Sequence, residues 1–538
     1  MIDAALRGQV ERWILGDPHA GDRTELQALL DAGDAAAAAD LAERWSGPLE
    51  FGTAGLRGPL RAGPRGMNLA TVRRTTAGLA AWLVAAQRSK PGSTDVGGGT
   101  VVVGYDARRR SREFALDAAA TLAAAGLGVR LADRPWPTPC TAYAVRWCRA
   151  DAGVQVTASH NPAGDNGYKV YDATGAQIIP PDDGAIARAI DLQPDANAIP
   201  TTAVAPNLGD DLIDAYCAMA LRVIARSSAR TLRIVYTPLH GVGGTTMARL
   251  FAAAGFDDVH RVESQFAPDG AFPGLPFPNP EEPGVLDAAI ALAREVGAAI
   301  VVANDPDADR LAICVDSPTH GWRMLSGDEL GVALGDHLLD DASGARVVAR
   351  SRVSSSGLDA VAAAHGAECV VTATGFKWLA RAADDREGSL AFAYEEALGY
   401  AVSDQVRDKD GMTAALVAAD AAARMPLLDR LAAIAHRDGC HVTTQWAPRF
   451  EGPDGHAAMA AAIERLGSAP ADPIDVALPG GRALIRRSGT EPKLKCYFEV
   501  VLDLAEPTVE AYERVRRAGL SACERMRVDL ARRLGLAS

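Results

Sequence analysis

A serine and a histidine stand in a segment whose neighbours predict a loop. The segment Val156-Thr-Ala-Ser159-His-Asn-Pro162 follows an apolar run and ends in Asn-Pro, and the residue before a proline avoids helical backbone angles. Ser159 is therefore expected at the carboxyl end of a strand, where α/β sheets present their ligands. No glycine stands two positions from it on either side, which excludes the nucleophile elbow of α/β hydrolases. Taken alone, the segment fits either a nucleophilic serine or a capped turn.

Three aspartates at alternate positions, Asp305, Asp307 and Asp309, directly follow a second apolar run. Three like charges so close together need a cation, and their hard oxygen ligands suit Mg²⁺ or Ca²⁺. An EF-hand is excluded, because its required glycine and glutamate positions carry Arg310 and Asp316. The alternative is a solvated acidic turn. A metal bound here would keep open positions for a phosphate oxygen.

A third segment, residues 486–495, places a Ser-Gly-Thr turn between arginines and lysines. Its hydroxyls and closely spaced backbone N–H groups would form an anion nest, although the P-loop lysine pattern is absent from the chain. A plain turn is the alternative.

Three further segments carry weaker signals. Glu395 and Glu396 could accept hydrogen bonds from sugar hydroxyls or lie in a solvated loop. Lys409 stands among acids that should keep it charged, and a surface turn explains its segment better without context. The glycines that begin at Gly241 lack the third glycine of a dinucleotide fingerprint, so we expect no nucleotide site there.

Strands and helices alternate around these segments, which favours parallel sheets covered by helices. Residues 1 to about 45 are expected to be helical, and three α/β units follow, the first two separated by a Pro- and Asn-rich linker at 193–207. The last hundred residues predict an α+β unit with a long final helix. Strands are predicted at 101–104, 129–131, 153–156, 232–236, 298–303, 346–349, 369–371, 390–393, 482–485 and 496–501, and helices at 111–127, 244–254, 358–365, 456–466 and 506–534.

The bulk composition is that of a globular protein of several domains, with 538 residues, 48% hydrophobic and 23% charged. A net charge of −13 argues against a general surface for nucleic acid or anionic membranes. The eight cysteines are scattered without a C-x-x-C pair, the first ten residues lack a signal-peptide core, and no apolar run is long enough to span a membrane. We therefore expect a cytoplasmic protein.

With these segments assembled, the chain resembles the α-D-phosphohexomutase superfamily, which includes phosphoglucomutases and phosphomannomutases. The segments 51–58, 157–162, 305–310 and 486–492 are similar, in this order, to the family's substrate-arginine loop, active-serine loop, metal loop and phosphate loop. The metal loop has Pro306 and Ala308 where the family usually has glycines. Within the superfamily, residues 277–282, 374–378 and 395–399 most resemble the phosphoglucomutase-2 and phosphopentomutase-like branch.

The resemblance implies four domains around a central cleft, three related α/β domains and a C-terminal α+β domain of the TATA-binding-protein-like type. We expect domain I at 1–205, with the helical extension and the serine loop, and domain II at 206–322 with the metal loop. Domain III is expected at 323–438 with the sugar-binding loop, and domain IV at 439–538 with the phosphate loop.

The resemblance also implies an activity: interconversion of sugar 1-phosphate and sugar 6-phosphate, of glucose or mannose, through a phosphoserine and a sugar bisphosphate. Ser159 would carry the phosphoryl group, and one Mg²⁺ would bind Asp305, Asp307 and Asp309 together with the phosphorylated Ser159. Proton transfer and charge stabilisation would fall to His160, Lys169 and Lys409. The remaining residues implied, all for substrate binding, are Arg57, Arg310, Thr374, Gly375, Glu395, Glu396, Arg486, Ser488, Gly489, Thr490 and Lys493.

One departure from the family pattern bears on the sugar. Many hexose mutases have a serine at the position of Ala397, so a hydroxyl that would contact the sugar is absent. The alternative activity is therefore a phosphopentomutase on the same scaffold. A phosphatase would lack the distal phosphate loop, and an inactive paralogue should have lost Ser159 or an aspartate. We expect small sugar phosphates as the partners and a monomer or homodimer.

Overall fold

The computed structural model describes residues 2–50, 55–88, 99–224, 230–340, 344–450, 452, 454–466, 473–487 and 492–536. The chain divides into two compact units. The first comprises residues 1–225, 233–312 and 404–416, and the second comprises 226–232, 313–403 and 417–538. Residues 404–416, which lie inside the third predicted domain, thus belong to the first unit.

The described part of the first unit begins with helices and continues with two sheets. Its helices are α1 (Ala4–Gly16), α2 (Ala20–Ala32), α3 (Ala35–Arg44), α4 (Leu69–Arg88), α5 (Ser111–Ala124), α6 (Thr138–Trp147), α7 (Asp182–Asp191), α8 (Asp210–Ala220), α9 (Gly243–Ala254), α10 (Glu263–Phe266) and α11 (Asp287–Val296). Its strands are β1 (Leu56–Pro59), β2 (Thr100–Tyr105), β3 (Gly128–Leu131), β4 (Ala152–Val156), β5 (Asp165–Asp172), β6 (Ile234–Thr237), β7 (Val259–Arg261) and β8 (Ile300–Asn304).

The N-terminal helices form because polar caps and apolar faces coincide in the sequence. Asp34 accepts a hydrogen bond from the backbone N–H of Ala37 at 2.8 Å, which starts α3 at the beginning of the alanine run. Val10, Leu26 and Leu41, one from each helix, are fully buried in one hydrophobic cluster. The helical prediction for this region is confirmed.

The first sheet has the order β1-β5-β4-β2-β3. Strand β2 pairs in parallel with β3 and β4, as the alternation of strands and helices predicted. Strands β5 and β1 are antiparallel, which the sequence did not predict. For β5 the reason is the loop 157–164, which is too short for the crossover that a strand parallel to β4 would need. Strand β1 pairs with β5 and runs antiparallel to it. In the second sheet, β6 pairs in parallel with β7 and β8.

Two elements cross from one unit to the other, β9 (Leu311–Ser317) and α15 (Gly411–Arg424). The described helices of the second unit are α12 (Gly327–Asp340), α13 (Gly357–Ala364), α14 (Phe376–Leu379), α16 (Leu427–Asp438), α17 (Gly455–Glu464) and α18 (Val509–Leu534). Its strands are β10 (Gly321–Met324), β11 (Arg346–Ser351), β12 (Glu368–Thr372), β13 (Ser389–Glu395), β14 (Gly399–Ala401), β15 (Cys440–Trp446), β16 (Ile474–Leu478), β17 (Gly481–Arg487) and β18 (Leu494–Leu502).

The second unit contains a mixed sheet and an antiparallel sheet. The mixed sheet has the order β12-β11-β13-β14, with β11 parallel to β12 and β13. The C-terminal sheet has the order β15-β18-β17-β16 and is antiparallel throughout. Helix α18 begins where Thr508 caps the N–H of Ala511 and ends at Gly535 in the left-handed conformation. The predicted α+β character of this region is confirmed.

Candidate active site

Ser159 lies in the loop between β4 and β5, buried and with a backbone φ of 53°. A side-chain-bearing residue in this left-handed region costs about 1–3 kcal/mol, so its surroundings must hold it there. Its Oγ donates a hydrogen bond to Asp305 Oδ2 at 2.8 Å and lies 3.1 Å from His160 Nδ1. The hydroxyl thus faces an acidic group and an imidazole.

The three aspartates follow β8 and are completely buried, which excludes the solvated acidic turn. One carboxylate oxygen from each lies within 4.8 Å of the others. Among the residues that the structure describes, Asp307 Oδ1 and Asp309 Oδ1 have no hydrogen-bond partner. Buried carboxylate oxygens without donors are costly, and a divalent cation is the ligand that such a set of hard oxygens fits.

Two lysines partly balance the charge of the aspartates. Lys169 Nζ donates to Asp307 Oδ2 at 2.9 Å and to Asp309 Oδ2 at 2.8 Å, and Lys409 Nζ lies 3.4 Å from the same Asp309 oxygen. Burial acts to raise the pKa of Asp309, but Lys169 and Lys409 lower it overall. Burial and the two neighbouring carboxylates raise the pKa of Asp305 well above its usual value.

Lys409 corrects one interpretation of the sequence. Its segment fitted a surface turn best, yet Asp408, Lys409 and Asp410 are all buried. Asp408 Oδ2 accepts hydrogen bonds from Tyr171 at 3.0 Å and from Gln177 at 2.9 Å. These contacts hold the segment in the first unit, with the lysine beside the aspartates.

Two arginines, Arg57 and Arg310, lie near His160, the residue that follows Ser159. Arg57, on β1, donates to Asn161 Oδ1 at 2.9 Å, and Arg310 Nη1 lies 3.4 Å from Glu281. Burial, Arg310 and Arg57 lower the pKa of His160 well below its usual value. Burial and the two arginines therefore favour the neutral form of the imidazole, in which one ring nitrogen can accept a hydrogen bond.

Thr138 contacts the aspartate loop, and no pattern in the sequence indicated this contact. Its backbone N–H donates to the carbonyl of Asp307 at 2.9 Å, and its hydroxyl donates to Asp307 Oδ2 at 2.6 Å. Thr138 begins α6, so the start of that helix fixes the middle aspartate. A threonine before a proline is typical of many helix starts, so the sequence around Thr138 does not indicate a contact with Asp307.

The glycine segment after β6 also supports the metal loop. The N–H of Val242 donates to the carbonyl of Pro306 at 2.9 Å. A Cβ on Gly241 would lie 2.4 Å from that carbonyl oxygen and 2.5 Å from Pro306 Cα. The segment therefore packs backbone to backbone against the aspartate loop.

Gly241→Ala should lower the melting temperature and weaken Mg²⁺ dependence together, because the added methyl group must displace the backbone of the metal loop. Overpacking of this kind costs about 1–3 kcal/mol. Thermal melts with and without Mg²⁺ measure both effects. Gly8→Ala is the control, because an added Cβ there meets only the flexible end of Arg12 at 3.5 Å, within helix α1. An unchanged response to Mg²⁺ in Gly241→Ala would contradict this role.

In the second unit, Glu396 is held by two serines. Ser351 Oγ and Ser354 Oγ each donate to Glu396 Oε2 at 3.2 Å. Burial and the adjacent Glu395 raise the pKa of Glu396 to about 7. Thr374 and Gly375 lie between β12 and α14, and both are half-buried.

The predicted phosphate loop is described only at its edges. Arg486 lies near the end of β17, opposite Lys495 on β18. The backbone of Lys493 forms an isolated antiparallel β-bridge with that of Arg449. Ser488, Gly489 and Thr490 lie outside the described residues. The structure thus brings together the predicted residues of the first unit. The described ones of the second unit lie at or directly after the ends of β12, β13 and β17, except Lys493, which directly precedes β18.

Family comparisons cover most of the chain. Models described as phosphoglucomutase/phosphomannomutase alpha/beta/alpha domains I, II and III match residues 48–195, 213–318 and 326–437, and the model of the C-terminal domain matches 449–508. Among the described residues, no helix combines the length and apolar character that a membrane span requires.

Individual proteins give the same result. The chain is 36% identical over 465 residues to a "Probable phosphomannomutase" of Haemophilus influenzae, covering 81% of this chain and 93% of that protein. It is 33% identical over 575 residues to "Phosphopentomutase" of Mus musculus, covering 93% and 91%. A phosphoglucomutase/phosphomannomutase family protein from Burkholderia thailandensis shares the fold, with a TM-score of 0.65, 23% identity and coverage of 88% and 97%.

These matches define a mutase-type enzyme with three α/β domains and a C-terminal domain. The chain belongs to the phosphoglucomutase/phosphomannomutase family. The predicted superfamily and the predicted four-domain class are confirmed, and the relatives support a phosphosugar mutase.

Proposed function

We propose that this enzyme interconverts the 1-phosphate and 6-phosphate of a hexose, glucose or mannose, with Ser159 as the phosphoryl carrier. The observation that carries the proposal is the 2.8 Å hydrogen bond between Ser159 Oγ and Asp305, within a cluster of three buried carboxylates. Phosphoryl transfer is catalysed by positioning and by charge neutralisation, and this cluster can provide both.

In the proposed cycle, phosphorylated Ser159 gives its phosphoryl group to the free hydroxyl of the sugar phosphate. The Oγ–P bond breaks, a bond between phosphorus and the sugar oxygen forms, and the hydroxyl proton passes to a base. The bisphosphate turns around, and Ser159 Oγ attacks its other phosphoryl group. The bond between that phosphorus and its sugar oxygen breaks, and the sugar oxygen takes back the proton that the base received in the first step. The second step releases the isomeric monophosphate and restores the phosphoserine. The bisphosphate is thus an intermediate and can also prime an enzyme that lacks phosphate.

Proton transfer is assigned to His160, whose neutral imidazole lies 3.1 Å from Ser159 Oγ. Lys169 and Lys409 both lie against the aspartates and would stabilise negative charge on the transferring group. Lys409 is a second candidate for proton transfer, because its amine lies beside the same cluster.

The aspartates fit one Mg²⁺. Asp305, Asp307 and Asp309 would hold it together with an oxygen of phosphorylated Ser159, and the two carboxylate oxygens without donors support this assignment. When bound, Mg²⁺ neutralises charge on the phosphoryl group. The three aspartate side chains would determine the position of the ion.

Substrate binding is proposed for both units. Arg57 and Arg310, near His160, would bind the substrate from the first unit. In the second unit, Glu395 and Glu396 would accept hydrogen bonds from sugar hydroxyls, and Thr374 and Gly375 would add further contacts. The phosphate that is not reacting would bind Arg486, Ser488, Gly489, Thr490 and Lys493. Charge-assisted hydrogen bonds of this kind orient a phosphate strongly.

A pentose phosphate is the second candidate substrate. Ala397 lacks the hydroxyl that many hexose mutases have there, and the relative from Mus musculus that covers most of the chain is named a phosphopentomutase. Side-by-side turnover of glucose, mannose, glucosamine and ribose 1-phosphates, with Mg²⁺ and a catalytic amount of bisphosphate, tests both candidates. Turnover of none of these sugars would contradict the proposal.

Ala397→Ser should shift the ratio of specificity constants towards the hexose. One hydrogen bond is worth about 0.5–1.5 kcal/mol, which is roughly a three- to tenfold change in selectivity. Competition between glucose 1-phosphate and ribose 1-phosphate measures this ratio directly. Ala363→Ser, at an exposed position of α13, adds a hydroxyl elsewhere in the same unit and should leave the ratio unchanged. An unchanged ratio in Ala397→Ser would mean that this position does not face the sugar.

A further inference from the structure

Arg108 lies beneath the serine loop, in the segment that follows β2, and only 3% of it is exposed. Strands β2 and β4 are neighbours in the first sheet and run in parallel, so the segments after them meet at one edge. The structure therefore places this arginine directly against residues 159–165.

The guanidinium donates to four backbone carbonyls of the serine loop. Nη2 reaches the carbonyl of Ser159 at 2.6 Å and that of Asn161 at 2.5 Å. Nη1 reaches the carbonyls of Pro162 at 2.8 Å and Asp165 at 3.2 Å. Carbonyls of an irregular loop need donors other than a strand ladder, and here one side chain supplies four of them, although the Pro162 carbonyl also accepts the N–H of Asp165 at 3.0 Å.

Asp106 completes the arrangement from the other side. Its Oδ2 lies 3.4 Å from Arg108 Nε and accepts a hydrogen bond from Thr157 Oγ1 at 2.7 Å. Thr157 Oγ1 in turn accepts a hydrogen bond from the backbone N–H of Ser159 at 2.9 Å. The N–H of Ser159 is therefore linked to Asp106, and its C=O is bound by Arg108.

These contacts separate Arg108 from the arginines that could bind substrate. Its four terminal N–H groups are all directed at carbonyls. Its Nε is buried and lies 3.4 Å from Asp106 Oδ2 without a hydrogen bond, so the ends of the guanidinium that would bind a phosphate are already engaged. Its guanidinium also lies 4.8 Å from the ring centroid of Phe272. The side chain is buried between the loop and this ring.

We propose that Arg108 and Asp106 are positioning residues that hold Ser159 in its left-handed conformation, and so fix the direction of Oγ through both phosphoryl transfers. The proposal rests on the proposed role of Ser159 as the phosphoryl carrier. We call the contacts of Arg108 and Asp106 with the serine loop the clamp. The proposal predicts that loss of the clamp slows the chemical step and exposes the phosphoserine to water, while sugar phosphate binding is kept.

Arg108→Lys tests the clamp, because lysine keeps the charge but cannot reach four carbonyls in one plane. We expect kcat to fall by about a hundredfold, the effect of a small misplacement of a reacting group, while KM changes by no more than about twofold. With Ser159 phosphorylated by a hexose bisphosphate, the lifetime of the isolated phosphoenzyme in water should shorten. Thr157→Val, which removes the hydroxyl that links Ser159 to Asp106, should give the same pattern and serves if Arg108→Lys does not fold.

Arg73→Lys is the matched control. Arg73 is another largely buried arginine of the first unit, but it pairs with Asp117 and the carbonyl of Ala196. The Arg73→Lys variant should have lower thermal stability, with unchanged kcat and an unchanged phosphoenzyme lifetime. Wild-type kcat and lifetime in a folded Arg108→Lys or Thr157→Val, or an equal loss in Arg73→Lys, would overturn the clamp. Absence of phosphate from Ser159 in the wild-type enzyme would instead overturn the phosphoserine mechanism.

Discussion

Ser159→Ala should lower mutase turnover by more than about a thousandfold, because no other group can take the place of the covalent phosphoryl carrier. The fold should survive, since the residue lies on a loop and the loss of one hydroxyl opens no cavity in a hydrophobic core. Turnover measured at saturating sugar 1-phosphate and bisphosphate, together with a thermal melt, separates these two effects.

The phosphoserine itself is directly observable. Intact-mass analysis of the purified wild-type enzyme should reveal a fraction with one added phosphate, and peptide mapping should place that phosphate on Ser159. Incubation with a sugar bisphosphate should raise the fraction in the wild type and not in Ser159→Ala. Ser264→Ala, at an exposed serine of the same unit, is the control and should behave as wild type. Wild-type turnover in Ser159→Ala would contradict the phosphoserine mechanism.

Much of the first sheet could be predicted because its central strands are short apolar runs that end at glycine or polar residues. Val101, Val102 and Val103 are all completely buried in β2, and β4 is buried along its whole length. A strand that is buried on both faces needs a continuous apolar run, and such runs can be recognised in the sequence without the structure. Strands β1 and β5 carry polar residues that serve the site, and their sequences therefore lacked this signal.

The site divides in the same way. Ser159 and the three aspartates lie in contiguous segments that directly follow buried strands, and local sequence is enough to suggest their chemistry. Lys169 reaches Asp307 only because β5 turns back antiparallel to β4, which is a property of the sheet and not of the segment. Its place at the site was therefore indicated only by family resemblance.

Arg108 escaped prediction for a related reason. Its segment carries three consecutive arginines, which by composition alone are typical of a solvated surface. What buries the first of them is the adjacency of β2 and β4, which brings backbone carbonyls of the serine loop against it. Strand adjacency, combined with a search for polar residues after each strand, would have indicated it.

A second group of acidic residues shows why carboxylates alone do not define a metal site. Asp336, Asp340 and His365 also offer ligand atoms close together, but Arg430 Nη1 lies 2.6 Å from Asp336 and 2.9 Å from Asp340. Arg437 adds a contact of 2.8 Å to Asp336. Guanidinium groups already supply the positive charge and the donors in that group. In the aspartate loop, two carboxylate oxygens have no donor within the described part of the chain.

Asp307→Asn should therefore impair the enzyme through its metal. The change removes one of three anionic ligands and weakens the ion pair with Lys169, so the transferring phosphoryl charge is less neutralised. We expect kcat to fall by about 10²–10³-fold, as when one preorganised electrostatic contact is lost at a reacting group. The Mg²⁺ concentration for half-maximal activity should rise by at least about tenfold.

Titration of Mg²⁺ into enzyme treated with EDTA measures both quantities, and Mn²⁺ binding followed by electron paramagnetic resonance measures affinity without turnover. Asp340→Asn, in the group that arginines already neutralise, is the control and should keep the wild-type Mg²⁺ dependence. Wild-type activity in excess EDTA would remove the metal from the mechanism, and equal Mn²⁺ affinity in Asp307→Asn would exclude Asp307 as a ligand. Asp307 also accepts a hydrogen bond from the hydroxyl of Thr138. A thermal melt of each variant therefore separates loss of metal binding from loss of the stability that this hydrogen bond provides.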